Sequence, residues 1–416
     1  MMEGRPKSAS LKTFEKEKTV KLNPTLIENV RQPISTAELE RRWAETRKAM
    51  KKQGIDCLVM QNSNQYLGGC VRWFTDLPAK EGYPVTVIFP VDDEMTMITS
   101  GGAPLPPGPP EWAVRGVKER IGRPYFRTLH YTDSMDGEAV VSQLKGRGAK
   151  RVGIVAKSSM SAATYEYIRE NVGQIELVNA SDLVDPIKAI KSPEELELIK
   201  KAAAIQDAAM AAIPAILRPG KKEYEILSAV THLLMDMGSE EQLLMVGSAP
   251  PGMSTGQRND FFTNRTINAG DQFFLMIEVN GPGGFYAEMG RTFCLGDPPK
   301  ELLAVWEVAK EAQRRTVARL VAGAKPSDLL KAHNEFMVSK GFGPEGRLFG
   351  HGQGYDLVER PALRADEPMP LAANMNITVH PIAVTDNAYG FCCDNYIVGE
   401  SKATPVHRTP QEVVVV

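Results

Sequence analysis

Hydrophobic positions recur first at helical spacing and then at strand spacing along the first part of the chain. Residues 35–54 show the helical period and end at a glycine, and the β-prone apolar runs Ile55–Met60, Pro84–Phe89 and Met95–Thr99 follow. Segments of both kinds continue through Arg151–Val155 and beyond. Because helices and strands alternate, the pattern predicts a first domain of the α/β class.

The pattern changes after a hinge-like segment at Asp182–Ala202. Ser192 followed by Pro193 is typical of a helix start, with serine as the N-cap and proline in the first turn. Helical patterns dominate after this point, and a glycine-rich, strand-like stretch follows at Leu348–Ile397. We therefore predict an α+β fold with a flexible arm over residues 1–30, an α/β domain over residues 31–185 and a second domain over residues 186–416.

Two glutamates face each other in a predicted hairpin over Gly270–Phe293. Apolar, β-prone residues flank the turn sequence NGPGG, and Glu278 and Glu288 lie at equal distances from Gly283. In a symmetric hairpin their Cβ atoms would be about 5 Å apart. Like charges so placed repel, so we expect a metal ion, a shared proton, a cationic substrate or a nearby arginine to compensate them. The alternative is two solvated carboxylates on an exposed face.

Three further stretches place polar residues where strands normally carry apolar ones. His351 lies in GHGQG, where the glycines leave room for a ligand, and His380 ends the β-prone run NITVHP. Asp394 lies next to Asn395 within FCCDNYIV. Each of these residues alone is more often structural than functional. Together with the two glutamates they could form a metal site or an acid/base site.

Composition and charge limit the kinds of partner. The chain of 416 residues has 49 basic and 51 acidic residues and a formal net charge of −2, which argues against nucleic acid or an anionic membrane as the main partner. We expect a small-molecule substrate instead. The five cysteines show no C-x-x-C spacing, and no stretch resembles a signal peptide or a membrane span. The sequence therefore predicts a cytoplasmic protein.

Three motifs resemble those of one superfamily. The hinge AIKSPEELELIKKAA, the strand GFYAEMGRTF and the stretch GHGQGYDLVERP are similar to the hinge, the second-acid strand and the histidine motif of the creatinase, prolidase and methionine aminopeptidase superfamily. The resemblance extends from Ser35 to Val398. It implies a C-terminal pita-bread catalytic domain, preceded by the α/β domain of the creatinase, prolidase and aminopeptidase P branch.

The resemblance also implies a changed set of metal ligands. Peptidases of this superfamily hold two metal ions with Asp, Asp, His, Glu and Glu. By motif, the matching residues here are Glu278, Glu288, His351, His380 and Asp394. The first position could instead be Met276. Because a histidine replaces a carboxylate, the resemblance implies one divalent ion, Fe, Zn or Mn, or no metal at all.

Two histidines of those peptidases have no counterpart in the matching stretches. Asn259 is the nearest match to the first of them, and Val358 occupies the position of the second, although Glu359 keeps the surrounding pattern. In the peptidases these imidazoles hold the scissile carbonyl or move protons. Their replacement favours a different reaction from ordinary Xaa-Pro cleavage.

The main hypothesis is therefore a creatinase-like hydrolase or lyase that cleaves a C–N or related bond of a small polar substrate by histidine and carboxylate chemistry. The residues assigned to catalysis are His351, His380, Glu278, Glu288 and Glu359, those assigned to substrate binding are Arg72, Trp73, Asn259, Arg291 and Tyr355, and those that would hold a metal are Glu278, Glu288, His351, His380 and Asp394. Two alternatives stay open: an Xaa-Pro aminopeptidase or prolidase with a modified metal site, and a pita-bread binding module without catalysis.

The resemblance further implies a homodimer in which the N-terminal domain of one chain covers the active site of the other. The segment Asn64–Phe74 matches this lid by position. Within it, Arg72 would supply a planar cation and Trp73 an aromatic face for a substrate. Ordinary packing is the alternative role of both side chains.

Overall fold

A computed structural model describes residues 32–62, 64–101, 110–257 and 264–416. The predicted arm over residues 1–30 and the candidate residue Asn259 lie outside the described residues. In the described part, helices and strands are mixed along the whole chain, which confirms the predicted α+β class. None of the helices described is both long and apolar enough to cross a membrane.

One mixed sheet forms the centre of the N-terminal domain. Its strands are β1 (Cys57–Gln61), β2 (Val85–Pro90), β3 (Met95–Ser100), β4 (Val117–Arg123), β5 (Arg151–Ile154) and β6 (Glu176–Asn179). They are arranged in the order β4-β3-β2-β1-β5-β6. Strand β1 runs antiparallel to β2 and parallel to β5, and all of its residues are buried. The central position of β1 in the sheet explains its apolar run Cys57–Met60, because both faces of such a strand are covered.

Five α-helices of the described part of the chain accompany this sheet. They are α1 (Thr36–Gln53), α2 (Gly69–Thr75), α3 (Met135–Gly146), α4 (Ala162–Asn171) and α5 (Ser181–Ala189). Helix α1 begins as predicted, because the Ser35 side chain accepts a hydrogen bond from the backbone N–H of Glu38. It ends at Gly54, which adopts a left-handed conformation with φ of 64°.

Helix α6 (Pro193–Ile216) follows α5 along the chain and has the predicted helix start. Ser192 and Glu195 form a reciprocal capping box with each other's backbone N–H groups. The predicted boundary between residues 185 and 186 falls inside α5. Between α5 and α6, Lys191 Nζ lies 2.7 Å from Glu359 Oε2, and both side chains are buried. The linker is therefore fixed to the C-terminal domain by an ion pair.

Among its described residues, the C-terminal domain contains two larger sheets and one small one. The first sheet has the strands β7 (Gln242–Ala249), β8 (Gln272–Asn280), β9 (Tyr286–Cys294) and β17 (Val414–Val415), in the order β17-β9-β8-β7. The second has the strands β10 (Gly350–Gly352), β11 (Glu359–Ala362), β12 (Asn376–Val379), β15 (Asp394–Ile397) and β16 (Thr404–Pro405), in the order β11-β10-β12-β15-β16. Strands β13 (Ile382–Val384) and β14 (Tyr389–Phe391) form the small sheet.

Helices pack against these sheets, and the two larger sheets meet each other. The remaining helices are α7 (Glu223–Asp236), α8 (Lys300–Val317) and α9 (Pro326–Ser339). Helix α6 packs on β8 and β9, and α8 packs on β13 and β14. Strand β9 contacts β15 of the second sheet, and an isolated bridge joins Gly290 to Cys393. Since β8 and β9 are buried along their whole length, their charged residues lie in the interior.

Candidate active site

The two glutamates of the hairpin lie directly opposite each other, as the sequence predicts. In the antiparallel pair β8–β9, Glu278 is the register partner of Glu288. Their exposed fractions are 5% and 2%, so the alternative of two solvated carboxylates is wrong. Met276 lies two residues before Glu278 in β8, opposite Gly290, and packs among apolar side chains that include Phe391. Between the two candidates for the first acidic position, only Glu278 faces the other carboxylate.

The two candidate histidines come together from neighbouring parts of the second sheet. His351 lies in β10, which pairs with β12, and His380 directly follows β12. The centres of their rings are 5.2 Å apart. The glycines beside His351 permit this close strand packing, since a Cβ at Gly350 would lie 2.9 Å from the carbonyl oxygen of Thr378.

Glu288, His351 and His380 form a compact group of possible metal ligands, which we call the ligand triad. One potential ligand atom from each residue lies within 4.8 Å of the others, and all three residues are buried. His351 Nδ1 lies 3.0 Å from the carbonyl oxygen of Gly352. In the neutral ring Nδ1 therefore carries the proton, and Nε2, 3.8 Å from Glu288 Oε2, keeps a free lone pair. Two imidazoles and one carboxylate suit a single divalent transition metal ion.

Asp394 does not join this triad, because it forms an ion pair with Arg291. Arg291 Nη2 lies 2.6 Å from Asp394 Oδ1, and Gln411 Nε2 donates a hydrogen bond of 2.8 Å to Asp394 Oδ2. Arg291 is completely buried. It also donates hydrogen bonds to main-chain carbonyls, including that of Cys393. These contacts favour a structural role for Arg291 over its predicted role in substrate binding.

Burial shifts the pKa values of the two glutamates and the two histidines of the site. Burial raises the pKa of Glu288 to about 7, and burial together with the nearby charge of Glu288 raises the pKa of Glu278 well above its usual range. Burial lowers the pKa of His351 to about 4 and that of His380 well below its usual range. At neutral pH the imidazoles are therefore neutral, as metal ligation requires, and the raised pKa of Glu278 favours its protonated form.

The profiles of two known protein families match this chain. Residues 197–401 match the profile of metallopeptidase family M24, and residues 42–190 match that of the creatinase/prolidase N-terminal domain. The chain belongs to the pita-bread creatinase/prolidase superfamily. The matches confirm the resemblance that the motifs indicate and support the prediction of an enzyme.

Relatives within the superfamily are similar over most of their length. The chain is 24% identical to the Xaa-Pro dipeptidase of Pyrococcus furiosus over 261 residues, which cover 62% of this chain and 74% of the relative. It is 24% identical to the creatinase of a Bacillus species over 385 residues, 85% of each chain. The crystal structure of a prolidase from Thermococcus sibiricus superimposes with a TM-score of 0.76 at 18% identity, covering 92% of this chain and all of that one. This last likeness shows the pita-bread fold.

Glu359 lies outside the ligand triad, in an ionic cluster with two lysines. Its carboxylate is 2.7 Å from Lys191 Nζ and 3.3 Å from Lys188 Nζ. Burial alone would raise the pKa of Glu359, but the two lysines outweigh it and lower the pKa to about 2. Lys188 also pairs with Asp356 at 2.6 Å. An acid held so firmly in its charged form is poorly suited to proton transfer, so the geometry favours a structural role.

The candidate substrate-binding residues of the predicted lid are packed inside the chain. Arg72 Nη1 forms an ion pair of 2.8 Å with Glu240, and its guanidinium lies over the ring of Tyr355. Tyr355 in turn packs against Phe285 of the hairpin, with ring centres 4.1 Å apart. Trp73 is 1% exposed. These placements favour packing over substrate contact, and the predicted cover of a partner's site stays a prediction.

Sequence reasoning missed two residues that contact the carboxylates. Gln353 Nε2 donates hydrogen bonds to Glu278 Oε1 at 2.9 Å and to Glu288 Oε2 at 3.4 Å. The Cys393 thiol donates to Glu288 Oε1 at 3.1 Å. The signal for Gln353 was present, since it is the polar residue between two glycines of the histidine motif. Cys393 gave no such signal, because a cysteine in an apolar strand is usually a packing residue.

Proposed function

We propose that this protein is a metal-dependent hydrolase that cleaves a C–N bond of a small substrate, with Xaa-Pro dipeptides as the first candidates. The ligand triad of Glu288, His351 and His380 carries the proposal, because its donor set and spacing fit one divalent ion. The fit of two ions is poor, since Asp394 is already paired with Arg291.

The relatives support hydrolysis over elimination. The matching family profile is that of metallopeptidases, and one relative is named an Xaa-Pro dipeptidase. The relatives therefore support cleavage of Xaa-Pro peptides better than elimination from a small molecule. Creatine is the second candidate substrate, because the relative named creatinase matches over 85% of the chain.

The residues of the site would divide the chemistry as follows. A divalent ion held by the ligand triad would supply Lewis-acid polarisation of the substrate carbonyl and acidify water. Glu278 lies beside the triad but outside it, and its raised pKa lets it keep a proton at neutral pH. It is therefore suited to protonating the amine nitrogen as the C–N bond breaks. Gln353 fixes the position of Glu278 through the hydrogen bond to Oε1.

Elemental analysis and product analysis test this proposal. We expect about one equivalent of divalent metal per chain, and release of free proline from Ala-Pro by the metal-loaded protein. His351→Ala and His380→Ala should each lose the metal, and turnover should fall by more than the roughly 10- to 100-fold that changes to outer partners of metal ligands cause. His232→Ala is the control, because this side chain is 78% exposed and lies outside the triad.

Three results would decide against the proposal. Two tightly bound equivalents with efficient Xaa-Pro cleavage would indicate an ordinary dinuclear peptidase. An unsaturated product without uptake of water would indicate a lyase. A protein that binds Xaa-Pro peptides, but binds no metal and does not cleave the peptides, would indicate a binding module.

A further inference from the structure

Gln353 lies between the two opposed carboxylates of the hairpin. It is completely buried, and its Nε2 donates one hydrogen bond to Glu278 Oε1 at 2.9 Å and a longer one to Glu288 Oε2 at 3.4 Å. An amide NH2 group has two hydrogens, so it can serve both acids at once. A neutral donor thus occupies the space where a cation would bridge two carboxylates.

The orientation of this amide is fixed by a buried chain of hydrogen bonds. Gln353 Oε1 accepts a bond of 2.8 Å from Asn395 Nδ2, which also donates to Asn376 Oδ1 at 3.0 Å. Asn395 Oδ1 accepts the backbone N–H of Glu288 at 2.7 Å. A rotated Gln353 amide would turn its oxygen toward the carboxylates and its NH2 toward the Asn395 NH2. The network therefore holds the donating side of Gln353 toward Glu278 and Glu288.

Both oxygens of the Glu288 carboxylate already have contacts within the site. Its Oε1 accepts the Cys393 thiol at 3.1 Å, and its Oε2 faces His351 Nε2 at 3.8 Å. Each metal ion that a carboxylate binds takes up one oxygen lone pair, which can then no longer accept a hydrogen bond. Because Cys393 and Gln353 already donate hydrogen bonds to Glu288, its carboxylate is better suited to one ion than to two.

We infer that Gln353 is a positioning residue that keeps a second cation out of the site, so that the hairpin carboxylates work beside one ion instead of bridging two. This inference rests on the proposed metal-dependent function. The amide of Gln353 takes the place of a positive charge between the two acids, and the site then holds a single ion.

Metal titration of matched variants tests the inference without any substrate. Wild type, Gln353→Ala, Gln61→Ala and the double variant Gln353→Ala/Glu278→Gln are saturated with Mn²⁺, freed of excess ion and analysed for Mn per chain and by electron paramagnetic resonance. Gln61 is the control, because it is also a completely buried glutamine that donates to a buried carboxylate, at 3.0 Å to Asp136 in the N-terminal domain. Circular dichroism confirms that each variant is folded.

The expected result is one Mn²⁺ equivalent for wild type and for Gln61→Ala, with the spectrum of an isolated ion. Gln353→Ala should bind one additional equivalent and show a spin-coupled spectrum, and the added Glu278→Gln change should remove that second ion. The inference is overturned when Gln353→Ala binds no more Mn²⁺ than wild type, or when wild type itself binds two equivalents. By contrast, a wild type that binds no ion contradicts the proposed function.

A second variant keeps the test decisive if Gln353→Ala does not fold. Glu278→Gln in the wild-type background should leave the single Mn²⁺ equivalent in place, because Glu278 is held by Gln353 and lies outside the ligand triad. Loss of that equivalent would show that Glu278 binds the ion directly, and the inference would then be wrong.

Discussion

Replacing Asp394 with asparagine tests whether this acid is structural or a metal ligand. In the structure its Oδ1 lies 2.6 Å from Arg291 Nη2, and its Oδ2 accepts a hydrogen bond of 2.8 Å from Gln411. Asparagine keeps the shape and one acceptor but removes the negative charge. The guanidinium of Arg291, which is 0% exposed, would then be buried without a counter-ion.

The size of the effect follows from that unpaired charge. Removing one partner of a buried ion pair destabilises a protein by about 3–5 kcal/mol. Arg291 keeps its hydrogen bonds to the main-chain carbonyls of Pro410 and Cys393, and the amide oxygen at position 394 can still accept one more. We therefore expect the free energy of unfolding of Asp394→Asn to fall by about 3 kcal/mol, at the lower end of that range.

Urea unfolding followed by tryptophan fluorescence measures this loss, and elemental analysis of the same samples gives the metal content. Asp366→Asn is the matched control, because Asp366 also pairs with an arginine, Arg364 at 2.8 Å, but both side chains are more than half exposed. Its effect should stay below about 1 kcal/mol. The reasoning is refuted if Asp394→Asn keeps its stability but loses its metal, since Asp394 would then be a ligand.

Three further predictions concern groups outside the ligand triad. Burial raises the pKa of Asp136 to about 6, above about 3.9 in the unfolded chain, so the native state binds the extra proton between these values and stability decreases as pH rises through this window. Relative to Asp136→Asn, wild type should lose up to about 3 kcal/mol between pH 4 and 7 in urea unfolding. Lys191→Met leaves Glu359 with Lys188 alone, and the same assay should show a loss near the lower end of about 3–5 kcal/mol. Gly284→Ala should lower stability by at least about 1–3 kcal/mol, because the new Cβ would overlap the Arg72 guanidinium.

Each of these three predictions has a matched control variant of the same protein. Glu138→Gln, an exposed acid on the same helix as Asp136, should not change the slope of stability with pH. Arg364→Met removes a cation from an exposed pair and should have an effect below about 1 kcal/mol. Gly323→Ala has a φ of 85° but open space around the new Cβ, so it reports the backbone strain alone. Equal losses for Gly284→Ala and Gly323→Ala, or a parallel pH profile for Asp136→Asn, would contradict the respective prediction.

Local sequence determined the elements that present the site. The turn sequence and the equal spacing from Gly283 specified the hairpin and the facing pair Glu278–Glu288, because hairpin register is set by the turn and by side-chain alternation. The Ser192-Pro193 start of α6 was likewise readable, since a helix cap involves neighbours within one turn.

Only the tertiary structure decided which acids are available for chemistry. Asp394 has the residue type and the motif position of a ligand, but it is paired with Arg291, 103 residues earlier in the chain. Glu359 forms an ion pair with Lys191, which is 168 residues away in the sequence. Gln353 donates a hydrogen bond to Glu278, which is 75 residues away. Sequence patterns describe each segment's own neighbours, whereas the charge state and function of a buried group depend on partners that only folding brings within hydrogen-bonding distance.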